Sequence, residues 1–178
     1  IIPPSFFIPR AHNDTYVKAT SYYDSNTIPG NATNPSKLLT GNQNPNGWQS
    51  NAATNQRFHI DLGTARLIER VYYENGHDTA ANTTRGAKNF TLWGSNDANA
   101  FAELTYGTDT GWTQLTTSIS QMVKHAAESH NNSEPRFFDV TPTIAYRYYA
   151  FKFADNWGDA SYISVRRLML MGRSYKVS

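Results

Sequence analysis

The chain has 178 residues, a formal net charge of +2 and no cysteine. This length suits one domain that buries its own core, and the lack of cysteine excludes disulfides, thiolate nucleophiles and thiolate metal ligands. The lysines and arginines are scattered, so we expect no nucleic-acid partner; no apolar run approaches the ~20 residues that span a bilayer, so we expect no membrane insertion. Only 17% of the residues are charged while Asn, Thr, Tyr and Ser are abundant, a composition common in β-rich domains that work outside cells.

The first ten residues, Ile1 to Arg10, are apolar but contain three prolines. Proline breaks helices and removes a donor from a central strand, so we interpret residues 1–15 as an N-terminal arm ahead of a domain spanning residues 16–178. The arm packs on this domain or on another subunit of an assembly, and a linker from a larger protein is an equally good interpretation. A start at Ile rather than Met also indicates a processed product or a piece of a longer protein.

After the arm, short runs of alternating apolar and polar residues are separated by turn-rich segments. The clearest run places Phe58, Ile60 and Leu62 on one face, and we expect His59, on the other face, to be a surface residue. A loop over 24–47 precedes it, and Trp48 is expected to close one end of the core. Because helical periodicity is nearly absent, the pattern predicts an all-β antiparallel sandwich. Further strands are predicted over residues 16–22, 66–75, 88–94 and 111–115.

Four motifs, in this order, resemble a known family. They are the Gly-Asn turn at 41–42 with Trp48 and the strand Phe-His-Ile-Asp-Leu-Gly at 58–63; the segment from Gly86 to Asp97; Gly-Trp-Thr-Gln-Leu at 111–115; and Tyr146 to Phe153 with a later strand ending at Gly172. Together they resemble the discoidin domain, also called the coagulation-factor type C domain, whose bacterial members include galactose-binding carbohydrate-binding modules. The resemblance implies an eight-stranded antiparallel jelly-roll β-sandwich (a galactose-binding-domain-like fold) with binding loops at one end.

Two segments look longer than in the compact members of that family. One is the loop over residues 98–109, and the other spans residues 118–132, where Ile119, Met122, Val123 and Ala126 follow helical spacing. We therefore predict one short inserted helix in the second segment. The two insertions either have no function of their own or form a contact surface in an assembly.

Catalytic signatures are missing from the sequence. The five histidines show no His-Glu-x-x-His spacing, and neither a Gly-x-Ser-x-Gly elbow nor a phosphate-binding glycine loop occurs. The carboxylates are spread over different predicted elements rather than paired as glycosidases require. We therefore predict that the domain is not an enzyme.

The resemblance also raises the question of calcium. Many discoidin-type carbohydrate modules hold a structural calcium with an Asp just before the turn Gly and a Glu in the last strand, and these positions are Thr40 and Arg167 here. Calcium requires anionic oxygen ligands, so we predict no calcium and no other cofactor. Instead, we expect Arg167 to donate to the carbonyl groups of the loop from Thr40 to Gly47, with Arg166 as the partner if the register differs by one residue.

The resemblance places ligand at the loop end, where an aromatic ring stacks on a sugar and polar groups bind its hydroxyls. Two loops carry such residues. The predicted ligand residues are Trp157, Asn156, His77, Asp78 and Arg85. Folding of Trp157 back onto the core and turn stabilisation by His77 and Asp78 are the structural alternatives.

These observations predict a non-catalytic module that binds glycan on a cell or polymer surface and attaches a larger protein or particle to it. Affinity for one sugar would be weak, so useful binding needs several copies. The alternative is a structural module of a virion or other extracellular assembly, such as a decoration or fibre protein, with no sugar ligand and with subunit contacts through Ile1 to Arg10. Both readings place the domain outside cells or on a virion surface.

Overall fold

A computed structural model describes residues 5–126, 131–141 and 143–172. In these ranges it has ten strands, two short α-helices and one 3-10 helix (Thr83–Arg85). The helices are α1 (Gly30–Thr33) and α2 (Ala98–Ala102). The strands are β1 (Ser5–Phe7), β2 (Val17–Ala19), β3 (Trp48–Gln49), β4 (Gln56–Arg66), β5 (Ile68–Asn75), β6 (Phe90–Ser95), β7 (Thr113–Thr117), β8 (Arg136–Thr141), β9 (Tyr146–Phe153) and β10 (Ser164–Gly172).

The strands form one curled antiparallel sheet in the order β1-β10-β5-β8-β7-β6-β9-β4-β2, with β3 paired to β10. The pairing of β7 with β8 joins two layers, which we name the β5 sheet (β1, β10, β5, β8 and β3) and the β9 sheet (β2, β4, β9, β6 and β7). This arrangement confirms the predicted all-β sandwich. Ten strands are present instead of eight, and β1 and β3 have only three and two residues.

The main core lies between the two layers and follows the predicted alternation along β4. Phe58 and Ile60 are buried, and Phe58 pairs across the sheet with Phe151 of β9. Trp48 is fully buried with its ring 5.2 Å from that of Phe58, and its indole N–H donates to the carbonyl oxygen of Ser21 at 3.0 Å. A buried tryptophan needs such a partner for its one donor. The prediction that Trp48 belongs to the core is confirmed.

The polar face of β4 is also buried, so the prediction that His59 is a surface residue is wrong. His59 is fully buried because α2 and the following loop fold over the outer face of the β9 sheet. Its ring packs 4.8 Å from that of Trp112, and its Nδ1 lies 2.8 Å from the carbonyl oxygen of Phe101. The insertion thus gives this sheet a second, smaller core on its outer side, built from Ala100, Phe101, Trp112, Tyr148 and Ala150.

The predicted helix over residues 118–132 is misplaced, because residues 118–126 are not helical. Here the backbone bonds to neighbouring strands instead of to itself. The N–H of Met122 donates to the carbonyl oxygen of Lys88 at 2.9 Å, while the Met122 side chain is fully buried in the main core. The apolar residues at helical spacing therefore belong to a segment that is not helical. Residues 127–130 lie outside the described ranges. The short inserted helix is α2, in the other insertion, where the Asp97 carboxylate caps it by accepting from the N–H of Asn99.

The described part of the N-terminal arm packs on its own domain. Residues 5–7 form β1 on the edge of the β5 sheet, with Phe6 opposite Met171 of β10. The division into an arm of residues 1–15 and a domain of residues 16–178 stays a prediction. None of the helices in the described ranges has the length and apolar character needed to cross a bilayer.

Candidate functional site

Three loops meet at one end of the sandwich. They follow β2 (residues 20–47), β5 (residues 76–89) and β9 (residues 154–163). The first and third touch through the rings of Tyr23 and Tyr162, edge to face with centroids 5.2 Å apart. The second and third touch through Arg85 and Asp159, with Nε and Oδ2 3.4 Å apart. These contacts bring aromatic, cationic and anionic side chains into one cluster, which we call the loop-end site (Tyr23, Arg85, Asp159 and Tyr162).

The loop-end site is fixed by its own hydrogen bonds. The Asp159 carboxylate accepts from the backbone N–H groups of Ser161 at 2.8 Å and Tyr162 at 2.9 Å, which sets the loop that carries the Tyr162 ring. The Arg85 guanidinium carbon lies 5.0 Å from the centre of that ring. Tyr23 is 52% exposed, so one ring of the pair faces solvent. The site therefore presents the exposed ring of Tyr23, edge to face with Tyr162, near a guanidinium and a carboxylate.

Trp157 lies in the same loop as Asp159 and Tyr162, with its indole N–H turned towards the protein. It is half-buried, and its indole N–H is shared between the carbonyl oxygens of Ala87 at 3.2 Å and Met122 at 3.1 Å. The ammonium group of Lys88 lies 4.8 Å from the ring centre. Asn156 is equally engaged, because its amide donates to the carbonyl oxygens of Asp159 and Tyr162. Both residues support the loop that carries Tyr162, and their predicted contact with ligand stays a prediction.

His77 and Asp78 lie in the second loop and are engaged by residues outside the loop-end site. His77 is only 2% exposed and stacks on His125 with ring centres 4.0 Å apart. Its Nδ1 accepts from the N–H of Ala80, so Nε2 carries the proton and donates to the carbonyl oxygen of Leu39. Burial, helped by the charge of Arg166, lowers the pKa of His77 to about 4 and keeps the ring neutral at pH 7.

The carboxylate of Asp78 accepts from the backbone N–H of Gln43 at 3.1 Å. This bond ties the second loop to the first. Of the five predicted ligand residues, Arg85 is the one whose guanidinium lies over a ring of the Tyr23–Tyr162 pair. Sequence reasoning missed Tyr23 and Tyr162, although for Tyr23 the Tyr-Tyr pair near the start of a polar loop is a readable signal.

Arg166 binds the loop for which the sequence had suggested Arg167. Its Nη1 donates to the carbonyl oxygens of Gly41 and His77, both at 2.9 Å, and its Nη2 donates to those of Leu38 at 3.0 Å and Thr40 at 2.8 Å. Arg166 is fully buried, and burial lowers its pKa to about 10, so the group stays charged at neutral pH. One cation thereby satisfies four backbone acceptors.

A bulge explains why the two adjacent arginines differ. The register of β10 on β5 shifts between Val165 and Arg167, so Arg166 is the extra residue. The side chain of the extra residue at a β-bulge points in a different direction from those of its neighbours. Arg167 instead sits opposite Glu74, and its Nη2 donates to the carbonyl oxygen of Lys37 at 2.7 Å.

The residues present do not fit calcium at this position. Thr40 contributes only its backbone carbonyl, and that group and its neighbours already accept from a guanidinium. A calcium ion requires several oxygen ligands that include carboxylates. Within residues 5–126, 131–141 and 143–172, no group of three or more His, Cys, Asp or Glu side chains is arranged to hold a metal ion.

Comparisons with known proteins agree with this fold. A family model described as a domain of unknown function matches residues 37–172. No curated protein matches the sequence. Among solved structures, a point mutant of a chitosan-binding module from a Paenibacillus sp. IK-5 chitosanase/glucanase is 16% identical, with a TM-score of 0.62 over 96% of this chain and 100% of the other.

Two further solved structures are carbohydrate-binding modules from other bacteria. A family 32 module of Clostridium perfringens in complex with GalNAc-β-1,3-galactose is 12% identical, with a TM-score of 0.58 over 86% of this chain and 92% of the other. A fucose-binding module of Streptococcus pneumoniae is 16% identical, with a TM-score of 0.57 over 94% of each chain. Family 32 modules are discoidin-like domains, so the predicted resemblance is confirmed at the level of the fold.

Proposed function

The chain belongs to the DUF5000 family of domains of unknown function, and we propose that it is a non-catalytic module that binds glycan at the loop-end site. The observation that supports this proposal most directly is the pairing of Tyr23 and Tyr162 beside Arg85 and Asp159. The C–H face of a pyranose packs on such rings, while its hydroxyls need planar, fixed donors and acceptors. The carbohydrate-binding modules among its structural neighbours support the same class of ligand.

The proposed role is to attach a larger protein or particle to a glycan-bearing surface outside the cell. A single domain would bind one sugar weakly. Several copies raise the effective concentration and convert weak contacts into useful avidity.

A glycan-array screen with the domain displayed multivalently tests this proposal. The wild type is compared with Tyr162→Ala, Trp157→Ala and a matched control, Tyr22→Ala, which removes a neighbouring exposed tyrosine outside the loop-end site. We expect selective binding that is lost in Tyr162→Ala, weakened in Trp157→Ala and retained in the control. An array with no selective signal from the multivalent wild type would refute the proposal.

We also propose that Arg166 takes the place that calcium holds in the resembling carbohydrate modules. Four carbonyl oxygens converge on its guanidinium, and a cation with directional donors can hold such a loop without a metal. The loop-end site would then keep its shape in the presence of chelators.

The second candidate function, a structural module of an assembly, is favoured by an exposed aromatic strip on the outer face of the β5 sheet. Phe6 and Phe137 are 48% and 50% exposed, and both rings contact Tyr72. Contiguous exposed apolar residues often mark interaction surfaces. Light scattering of the wild type and a Phe6→Ser, Phe137→Ser variant tests it, and a wild type that is monomeric at all concentrations would count against self-assembly.

A further inference from the structure

A groove lies on the outer face of the β9 sheet, and none of its lining residues belongs to the loop-end site. It consists of two adjoining cavities of about 390 and 190 Å³ that share Phe90, Thr91 and Ser120 as lining residues. One wall is Tyr106, from the insertion after α2, and the other is Ser120, from the segment predicted as a helix. The two insertions of the sequence therefore border one groove.

The lining of the groove includes the neutral polar side chains of Thr91 on β6 and of Gln114 and Thr116 on β7. Thr91 pairs with Lys152 of β9, and Gln114 of β7 pairs with Trp93 of β6. Gln114 and Thr116 are exposed and both line the larger cavity. Thr91 Oγ1 accepts from the indole N–H of Trp93 at 2.8 Å, which orients the hydroxyl. Such a row of hydroxyl and amide groups suits a ligand that is rich in hydroxyls.

Aromatic rings border the smaller cavity. The ammonium group of Lys152 lies 4.5 Å from the ring centre of Tyr106 and 5.2 Å from that of Trp93. The Lys152 side chain is only 9% exposed, and its Nζ donates to Asp109 at 2.8 Å. The Lys152 ammonium group is thus held between two aromatic rings and a carboxylate at the smaller cavity.

The charges around the groove are balanced. Asp109 accepts from both Lys152 and Arg57, and the Asp155 carboxylate holds the Asn89 amide at the end of the smaller cavity. Lys152 is the one charged residue among the lining residues of the two cavities, and its Nζ already donates to Asp109, so its charge is paired within the protein rather than free to attract an ionic ligand.

A peptide strand is a poor occupant, because the backbone groups here are already used. β6 pairs with β7 and β9, and β7 pairs with β6 and β8. Strand addition requires a free sheet edge. We propose that this groove is a second binding site, separate from the loop-end site, for a segment of an uncharged glycan chain.

The tryptophan indole N–H signals distinguish the two sites in a nuclear magnetic resonance titration. The chain has four tryptophans, so four indole signals are expected, assigned with single Trp→Phe variants. Trp93 reports on the groove and Trp157 on the loop-end site. The probes are neutral hexasaccharides of β-glucan, mannan and galactan, with oligogalacturonate as the acidic comparison and the matching monosaccharides as short ligands.

We expect a neutral hexasaccharide to shift the Trp93 signal, and the monosaccharides to leave it in place. Thr116→Trp fills the floor of the groove and should abolish that shift, while Thr64→Trp, at an exposed threonine of β4, should not. Tyr162→Ala should leave the Trp93 shift intact, so failure of the loop-end proposal would not affect this result. A Trp93 signal that no neutral hexasaccharide moves, that only oligogalacturonate moves, or that moves equally in Thr116→Trp would overturn the proposal.

Discussion

Arg166 Nη2 donates to the carbonyl oxygen of Thr40 at 2.8 Å, which joins the last strand of the sandwich to the loop that precedes Trp48. Three further carbonyl groups share the same guanidinium. This buried cation is the central element of the loop end, because the loops on both sides of it depend on its donors.

Replacing Arg166 by Met should therefore lower stability strongly. Each buried acceptor left without a donor costs about 1–3 kcal/mol, so we expect a loss of at least ~3 kcal/mol, or roughly 6–12 °C in Tm for a chain of this size. Thermal melting measures it. Arg167→Met is the matched control, because that side chain gives the loop one bond, to Lys37, and we expect a clearly smaller loss. Equal losses in the two variants would contradict the special role of Arg166.

Calcium should not stabilise the wild type. A ligand that binds the folded state raises Tm, and the carbonyl groups that calcium would need already accept from Arg166. We expect the same Tm in millimolar calcium and in chelator. A rise of several degrees with calcium, reversed by chelator, would show that a metal site exists after all.

Stability should fall as the pH drops from about 6.5 towards 4. Burial is the main cause that lowers the pKa of both His59 and His77 to about 4, while the unfolded chain titrates near 6.5. Between these values the unfolded state binds protons that the folded state does not, so the free energy of unfolding decreases with decreasing pH. His12, whose pKa is also lowered by burial, adds to the same slope.

Urea unfolding between pH 4.5 and 7 measures this dependence. His77→Gln keeps a donor for the Leu39 carbonyl but cannot titrate, so its slope against pH should be smaller by up to one proton, and His59→Gln should behave alike. If both variants show the slope of the wild type, the two histidines are not the groups that titrate.

Arg85 should affect binding far more than folding. Its ion pair with Asp159 is long and partly exposed, so Arg85→Ala should change Tm by little. A glycan identified on the array should bind at least about tenfold more weakly, since one hydrogen bond to a charged group contributes about 1.5–3 kcal/mol. Arg85→Lys should remain impaired because an ammonium group lacks the planar fork of donors. Calorimetric titration measures both variants, and unchanged affinity in Arg85→Ala would exclude the residue from the site.

Much of the fold could be predicted from the sequence because alternation along single strands reports which face is buried. Phe58 and Ile60 behave as their spacing predicts. The same pattern failed for His59, since nothing in the local sequence shows that a distant insertion covers the other face of the strand. Likewise, Met122 and its neighbours have helical spacing, but the segment is not helical, and the Met122 N–H donates to the carbonyl oxygen of Lys88.

The candidate site was harder to predict for a similar reason. A one-residue bulge decides whether Arg166 or Arg167 points at the loop, and bulges depend on the partner strand rather than on local composition. The pairing of Tyr23 with Tyr162 joins residues far apart in the chain, so only the topology brings them together.

The loop after α2 should need the Asp109 carboxylate to keep its folded conformation over the β9 sheet. This carboxylate bonds both Arg57, which is fully buried, and Lys152, which is nearly so. Arg57 also donates to the backbone carbonyls of Thr105 at 2.9 Å and Thr108 at 2.6 Å, so the loop closes over a buried cation. Asp109→Asn removes the negative charge between two cations, and because the Asp109 side chain is 38% exposed we expect a loss below the ~3–5 kcal/mol of a fully buried pair.

Hydrogen exchange and urea unfolding test that expectation together. We expect faster exchange over residues 103–111, the loop that covers the outer face of the β9 sheet, along with the loss of stability. Asp159→Asn is the matched control, since it also removes a partly buried carboxylate but lies in the loop after β9. Faster exchange over residues 103–111 in the control alone would contradict the role of Asp109. If Asp109→Asn instead loosens only this loop while the main core stays protected, the outer core around Trp112 unfolds as a separate unit from the sandwich.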